Sequence, residues 1–403
     1  MGNDQAIDTA DAGLDSRAGW IVVGAAFVCT FTVFGVAYSF GAAFTTLQAE
    51  FNAAKGVTSL FFAITTFVYF ELGLFTGRIT DRIGPAAVVR VGAVAMAVGL
   101  ILTSLVNSIW LGFVTYGLGV GIGVACAYVP MVATVGGWFE RDRTKALGVA
   151  VAGIGIGTLV GAPAATTLVD NYGWRTTYVV LGLVSFVLLF IASFGAKRPP
   201  GNSVGAPLPS LRPLLRNHAF IRLYLAMLIV TMALFVPFVY IDDYLEELGG
   251  SGGAWLIATI GVTSVVGRLG LGALAGRFPL MALYRGSFLV LGLSFVIWLG
   301  AGASMPLLFA FAVVLGVSYG GFIALSPAVA AHLFGPLGLG GVLGALYTAA
   351  GIGALIGTPL AGELTDRFGY DTAIWTSLGL GLAGTAVLWL VPTDEPSGLL
   401  IDA

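Results

Sequence analysis

The chain consists of long apolar runs separated by short polar stretches. Twelve runs provide the roughly 20 mainly apolar residues that a helix needs to cross a membrane. They lie near residues 20–44, 57–79, 85–106, 109–133, 145–168, 174–194, 219–245, 252–276, 281–302, 305–331, 341–363 and 371–392. The pattern predicts an all-α membrane protein with twelve transmembrane helices.

The composition agrees with this pattern. Hydrophobic residues make up 58% of the 403 residues and charged residues only 9%, whereas a soluble domain carries about 25% charged residues. The excess apolar side chains must face lipid. This composition excludes an ordinary soluble enzyme, a nucleic-acid-binding protein and a disordered chain.

The basic residues set the predicted orientation. Of the 18 lysines and arginines, Lys55, Arg175 and Arg367 fall on one side of the membrane, Arg268 falls inside a run, and the others share the side of the N-terminus. Lysine and arginine are enriched in cytoplasmic loops. Both termini are therefore predicted to be cytoplasmic. We expect a multi-pass protein of the inner or plasma membrane that functions as a monomer.

The chain divides into two halves of six runs. The predicted parts are a tail (1–19), an N-terminal half (20–194), a proline-rich linker (195–218), a C-terminal half (219–392) and a second tail (393–403). The stretch Leu147–Arg175 aligns without a gap on Leu343–Asp371. The coinciding pairs are Gly148/Gly344, Gly155/Gly351, Gly157/Gly353, Gly161/Gly357, Pro163/Pro359, Asp170/Asp366 and Gly173/Gly369. A six-plus-six parallel repeat is typical of the major facilitator architecture, in which substrate binds between the halves.

Small residues recur at helical spacing in this repeat. Gly153, Gly157 and Gly161 are four residues apart, as are Gly353 and Gly357. Such spacing allows helices to approach closely. We expect close packing here and a surface on which the halves slide.

A charged turn separates the second and third runs. It comprises Gly77, Arg78, Asp81, Arg82 and Gly84 and resembles the G-x-x-x-D-R-x-G signature of major facilitator proteins. We expect a cytoplasmic gate in which Asp81 pairs with an arginine or with a helix N-terminus. The alternative is a tight turn with solvated charges.

Further motifs resemble a narrower family. They are Trp138-Phe139, Arg143, Ala146-Leu147-Gly148, Ala152-Gly153, Gly157, Pro163, Gly173-Trp174-Arg175, Gly35-Val36-Ala37-Tyr38-Ser39, Gly267-Arg268 and Gly272. Together they resemble the monocarboxylate transporters and the bacterial oxalate/formate exchangers, over nearly the whole chain. The resemblance implies secondary transport of a small organic anion.

Arg268 is the main candidate for binding that anion. A central intramembrane arginine costs about 2.5–3.5 kcal/mol on insertion scales, and its helix neighbours Gly261, Ser264, Gly272 and Ala275 are small. We therefore expect its side chain to point into the bundle. Its guanidinium matches a carboxylate with two hydrogen bonds, and the resemblance implies the same role. The alternative is a structural ion pair with Glu71 or Asp242.

Other positions narrow the expected substrate. Oxalate exchangers carry a second cation, a lysine on the eleventh span, where this chain has Ala350. Its absence favours a monocarboxylate over a dicarboxylate. The resemblance implies that Tyr38 and Tyr128 line the site, and position suggests Tyr319 and Tyr347 as their counterparts.

The coupling ion is left open by the sequence. The lysine and aspartate that relay protons in animal monocarboxylate transporters correspond here to Ala42 and Ser264. Glu71, Asp242 and Asp243 remain as candidate proton carriers. Anion exchange, uniport, or entry of the substrate as the protonated acid are the alternatives.

Three rival functions are an oxalate/formate-type antiporter, an exporter of a hydrophobic drug or metabolite, and a non-transporting membrane sensor. A sensor is not expected, because the tails and the linker are too short for a soluble signalling domain. Neither an enzyme nor a cofactor is expected. Cys29 and Cys126 lie in apolar runs, and the sequence has no cysteine or carboxylate at metal-ligand spacing from His218 or His332, so no metal is expected.

Overall fold

The computed structural model describes residues 13–200, 214, 216–335 and 339–392, and these residues form helices and no strands. The N-terminal half contains α1 (Arg17–Ala37), a 3₁₀ turn (Phe40–Ala43), α2 (Phe44–Phe51), α3 (Lys55–Thr58), α4 (Leu60–Ile83), α5 (Pro85–Thr103), α6 (Ile109–Ala127), α7 (Val129–Trp138) and α8 (Arg143–Gly195). The C-terminal half contains α9 (His218–Leu234), α10 (Val236–Glu247), α11 (Gly253–Leu274), α12 (Leu280–Ala301), α13 (Met305–Phe334), α14 (Leu339–Phe368) and α15 (Tyr370–Trp389).

The described part of the chain has eleven segments long and apolar enough to span a membrane. The longest, Lys145–Gly195, has 51 residues, about 75 Å of helix at 1.5 Å per residue. This is more than twice the roughly 30 Å of a bilayer core. Gly173 interrupts the segment with non-helical angles of φ 76° and ψ 161°. The interruption falls between two predicted spans, 145–168 and 174–194, and the count of twelve stays a prediction.

The backbone repeats at glycines that the sequence repeat had paired. Gly369, aligned with Gly173, has φ 83° and ψ 169° and separates α14 from α15. A side chain is strained at such positive φ values, and glycine is not. Both halves therefore turn at the same point of the repeat.

The four-spaced glycines pack helices within each half. Gly153 faces Thr30 of α1, and Gly353 faces Thr231 of α9. The sliding surface expected at these glycines is therefore wrong: they lie inside the halves.

A different glycine lies where the halves meet. Gly155 of α8 faces Gly261 and Val265 of α11. At 100° per residue, Gly155 lies about 200° around the helix from Gly153. The two glycines consequently face opposite neighbours, and this opposite face of α8 forms the contact between the halves.

Side-chain N-caps fix where the first helix of each half begins. Ser16 accepts a hydrogen bond from the Gly19 amide, so α1 begins at Arg17, inside the predicted tail 1–19. Asn217 accepts from the amides of Ala219 and Phe220, so α9 begins at His218. Residues 1–12, most of the predicted linker and the tail 393–403 lie outside the described residues.

Candidate functional site

Arg268 points into the bundle from α11. The residue is 5% exposed, whereas Val266 and Leu269 are 60% and 58% exposed. The side chains of these two apolar residues are therefore on the outside of the bundle. The bundle therefore shelters the charge that would be costly in lipid.

The guanidinium of Arg268 has one occupied edge and one open edge. Nη1 donates a hydrogen bond of 2.9 Å to the carbonyl oxygen of Val151 on α8. Nε and Nη2 are buried and have no hydrogen-bond partner among the described residues. Nε–H and one Nη2–H point in parallel, and this edge is one that a carboxylate can bind with both oxygens.

No carboxylate neutralises Arg268 within the described residues. The ion pairs found there involve Lys55, Arg175 and Arg367. The alternative role, an ion pair with Glu71 or Asp242, is therefore not observed. A buried cation with unsatisfied donors favours an external anion as its partner.

The four predicted tyrosines surround this charge. The Tyr319 ring lies 5.7 Å from Cζ of Arg268, and its hydroxyl is 3.1 Å from the Tyr38 hydroxyl. The hydroxyls of Tyr38, Tyr128 and Tyr347 also lie within range of electrostatic interaction with the Arg268 charge. Tyr38 and Tyr128 come from the N-terminal half, and Tyr319 and Tyr347 from the C-terminal half. The site therefore lies between the halves.

Apolar rings complete the walls. Tyr38 stacks on Phe238 at 4.6 Å between ring centroids, and Tyr128 meets Phe34 edge to face at 5.0 Å. Tyr347 packs against Phe70 of α4 at 6.0 Å. The arrangement offers a cation and hydroxyls for a polar head and aromatic faces for an alkyl chain.

Sequence reasoning missed two buried hydroxyls at this place. Tyr69 and Thr66 of α4 are 1% and 0% exposed. The Tyr69 hydroxyl lies beside those of Thr66 and Tyr38, within reach of weak hydrogen bonds to both, although no well-formed hydrogen bond to either is present. A tyrosine in a run rich in phenylalanine gave no signal of this.

The three candidate proton carriers have different surroundings. Glu71 has a buried Oε1 without a partner among the described residues. It lies two residues after Tyr69, so its side chain leaves α4 on nearly the opposite side. Asp242 is partly buried and accepts from the Gly253 amide. Asp243 is buried and ion-paired with Lys55.

Lys55 joins the two halves at their outer ends, outer being the side opposite the predicted cytoplasmic termini. Its ammonium is buried and pairs with Asp243 and Glu247 of α10. Tyr370 of α15 donates to Asp243 and lies 3.3 Å from Nζ of Lys55. We call Lys55, Asp243, Glu247 and Tyr370 the outer latch.

The backbone of Lys55 strengthens the same connection. Its amide donates to Asp366 of α14 at 2.8 Å, and its carbonyl accepts from Tyr240 at 3.3 Å. Tyr240 also donates to the carbonyl of Thr358 at 2.8 Å. From the sequence, Lys55 was one of three basic residues predicted on the outer side, and nothing local distinguished it. The described structure is closed on its outer side by these contacts.

The charged turn on the cytoplasmic side is unpaired among the described residues. Arg78, Asp81 and Arg82 are exposed and take part in none of the ion pairs of the described chain. The Arg82 carbonyl accepts from Arg198 at 2.7 Å. Gly84, with φ 93°, ends α4. Gly77 has open space around it. The gate role of this turn stays a prediction.

Comparisons with known proteins agree with the fold. The sequence model of the Major Facilitator Superfamily matches residues 26–304 and 254–401. A crystal structure of a bacterial homolog of the human lysosomal transporter Spinster, inward-facing and unoccupied, superposes with a TM-score of 0.72 at 13% identity. The match covers 93% of this chain and 97% of that chain. The chain is thus a multi-pass membrane transporter of this superfamily and not an enzyme.

Sequence relatives identify the family of this chain within the superfamily. Monocarboxylate transporter 13 of Rattus norvegicus is 30% identical, over 96% of this chain and 94% of that protein. Monocarboxylate transporter 11 of Homo sapiens is 31% identical, over 95% and 85%. The agnestins efflux protein AgnL12 of Paecilomyces divaricatus is 26% identical, over 96% and 90%. The chain belongs to the monocarboxylate transporter family.

Proposed function

We propose that the protein transports a small monocarboxylate by alternating access, with the carboxylate bound to the open edge of Arg268. The observation that carries the proposal is the pair of unsatisfied donors, Nε and Nη2. Hydrogen bonds between ionised partners are roughly twice as strong as neutral ones. The carbonyl of Val151 occupies Nη1, which leaves one fork for one carboxylate.

In the proposed transport cycle, the outer latch stabilises the state that is closed on the outer side. Substrate and guanidinium lie between halves that Lys55 and its partners hold together on the outer side. Release to the outside requires these contacts to break. Among the three candidates we favour Asp243 as the coupling residue, because its carboxylate forms the ion pair with Lys55 that release must break.

Counterflow uptake in proteoliposomes tests the function. Labelled lactate, acetate and oxalate are offered to wild type, Arg268→Gln, Arg268→Lys and the control Arg367→Gln, whose arginine is an exposed outer residue. We expect monocarboxylate uptake in wild type and the control, none in Arg268→Gln and reduced uptake in Arg268→Lys. Equal uptake by all four proteins would contradict the proposal, and uptake of oxalate alone would replace it by a dicarboxylate antiporter.

Coupling is tested in the same vesicles. An inward proton gradient is expected to accelerate uptake in wild type and Glu71→Gln and to have no effect in Asp243→Asn. A gradient response retained in Asp243→Asn and lost in Glu71→Gln would assign the proton to Glu71. No response in wild type would indicate exchange or uniport.

A further inference from the structure

Arg285 of α12 has hydrogen-bonding capacity that the described part of the chain does not use. Its Nη2 donates to the carbonyl oxygens of Trp389 and Val391, at 3.4 and 2.7 Å, where α15 ends. Its Nε is buried and has no hydrogen-bond partner among the described residues. Capping of the last carbonyls of α15 explains the bonds of Nη2. It leaves Nε unexplained, although proteins satisfy the large majority of their buried polar groups.

An open cavity of about 340 Å³ lies beside this guanidinium, and this volume is within the range of small-molecule sites. Arg285 forms one wall, and the beginning of α12 and the end of α13 form the others: Pro279, Leu280, Met281, Ala282 and His332. A second cation, Arg222 of α9, donates to the adjacent carbonyl of Leu390 at 2.8 Å. Neither arginine takes part in the ion pairs of the described chain. The cavity therefore has a cationic wall that favours an anion.

The position of Arg285 on its helix places the cavity next to lipid. Leu289, Leu293 and Val296 follow Arg285 on the same face of α12 and are exposed, whereas other faces of this helix pack against α13 and α15. Exposed apolar side chains of a membrane-spanning helix meet the acyl chains of the bilayer. The exposed ring of Trp389 lies 5.1 Å from Cζ of Arg285, and tryptophan is enriched at the membrane–water interface. Arg285 thus lies at the predicted cytoplasmic end of a lipid-facing stripe.

We propose that this cavity binds the phosphate group of an anionic phospholipid from the cytoplasmic leaflet. That leaflet carries the anionic lipids, and basic pockets between transmembrane helices on this side suit their head groups. A phosphate oxygen accepts a charge-assisted hydrogen bond from Arg285, while Leu280 and Met281 contact the apolar part of the lipid. The site is separate from Arg268, so the inference does not depend on the proposed function.

The sequence repeat supplies a counterpart in the N-terminal half. Arg90 and Phe194 lie 195 positions before Arg285 and Trp389, and Cζ of Arg90 lies 5.3 Å from the ring of Phe194. Nε of Arg90, however, donates to the hydroxyl of Ser193 at 3.0 Å. Both arginines attract anionic lipid through their charge, but Arg285 also offers an unsatisfied donor. Arg90 is therefore a matched control.

Lipid binding to the purified protein tests the site. Native mass spectrometry in a neutral detergent gives the Kd of the first bound molecule of dioleoylphosphatidylglycerol, dioleoylphosphatidylcholine or glycerol 3-phosphate. The variants are Arg285→Gln and Ala282→Glu. The second places a carboxylate at an exposed position of the cavity and keeps Arg285. Arg90→Gln and Ala87→Glu make the same changes at the repeat positions and serve as controls.

We expect phosphatidylglycerol to bind wild type and both controls with similar Kd. Arg285→Gln and Ala282→Glu should bind it roughly tenfold more weakly, as loss of a hydrogen bond to a charged group does. Phosphatidylcholine, which has no net charge, and glycerol 3-phosphate, which has no acyl chains, should bind wild type more weakly than phosphatidylglycerol. If Arg285→Gln fails to fold, Ala282→Glu and its control decide the question.

Three results overturn the proposal. An unchanged Kd in Ala282→Glu and in folded Arg285→Gln shows that the cavity does not hold the phosphate. An equal loss in the two controls shows general attraction by charge. Binding of phosphatidylcholine as tight as that of phosphatidylglycerol excludes recognition of an anion, and equally tight binding of glycerol 3-phosphate makes the occupant a soluble phosphate and not a lipid.

Discussion

Nη1 of Arg268 donates a 2.9 Å hydrogen bond to the carbonyl oxygen of Val151, and this bond joins the two halves of the transporter. Arg268 lies on α11 and Val151 on α8. The proposed carboxylate binds the other edge of the same guanidinium. In the proposed alternating-access cycle, movement of the halves against each other would change the surroundings of this guanidinium.

The hydroxyl pair of Tyr38 and Tyr319 gives a prediction about coupling between the halves. Each hydroxyl is the other's hydrogen-bond partner across the halves at 3.1 Å, so removing either one breaks this bond. We expect Tyr38→Phe and Tyr319→Phe to change kcat/KM by similar factors. The double variant should resemble either single one, with a coupling of about 0.5–1.5 kcal/mol. Strictly additive effects would show that the pair does not act together.

Breaking the outer latch should open the outer side. Ser59, which is fully buried next to Tyr240, is replaced by cysteine after Cys29 and Cys126 have been changed to alanine. We expect Lys55→Gln to accelerate its reaction with a membrane-impermeant thiol reagent at least tenfold. Tenfold corresponds to about 1.4 kcal/mol, less than the roughly 3–5 kcal/mol lost when one partner of a buried ion pair is removed.

Three further variants control the latch experiment. Glu247 is 51% exposed at its side chain, so Glu247→Gln should have a smaller effect than Asp243→Asn, because solvent screens exposed pairs. The exchange Lys55→Asp with Asp243→Lys should restore part of the protection. If Ser59→Cys reacts equally fast with and without Lys55, the latch does not close the outer side.

Gly155 gives a steric prediction about transport. A Cβ at this position would meet the backbone of Gly261 in the other half, whereas a Cβ at Gly286 would meet nothing within 4 Å. We expect Gly155→Ala to slow transport severalfold because it pushes the halves apart. Gly286→Ala should transport normally and unfold at a slightly higher temperature, since alanine favours helix by about 1 kcal/mol. Equal transport rates in Gly155→Ala and Gly286→Ala would contradict the contact between Gly155 and Gly261.

Much of the fold could be predicted because its cause is local. Lipid requires long apolar helices, and these appear directly in the sequence. Arg268 was identified for the same reason, since a lone charge in an apolar run has no local explanation. The glycines that turn the backbone, Gly173 and Gly369, appeared in the repeat because positive φ restricts the residue type.

The features that sequence reasoning missed depend on distant partners. Lys55 and Asp243 are 188 positions apart, and neither has a distinctive neighbourhood in the sequence. The choice of Gly153 over Gly155 as an inter-half residue failed because spacing shows which glycines share a face but not which helix that face meets. The burial of the Tyr69 hydroxyl beside Thr66 and Tyr38 follows only from the positions of all its neighbours.

The central claim is that Arg268 binds a carboxylate through its open edge. The most direct measurement is equilibrium binding of propionate, with neutral propionamide as an isostere, to purified wild type and Arg268→Gln of equal thermal stability. We expect propionate to bind wild type, and Arg268→Gln to bind it at least tenfold more weakly, which is about 1.4 kcal/mol. Propionamide should bind neither protein appreciably. Equal propionate affinity in the two proteins would contradict the account.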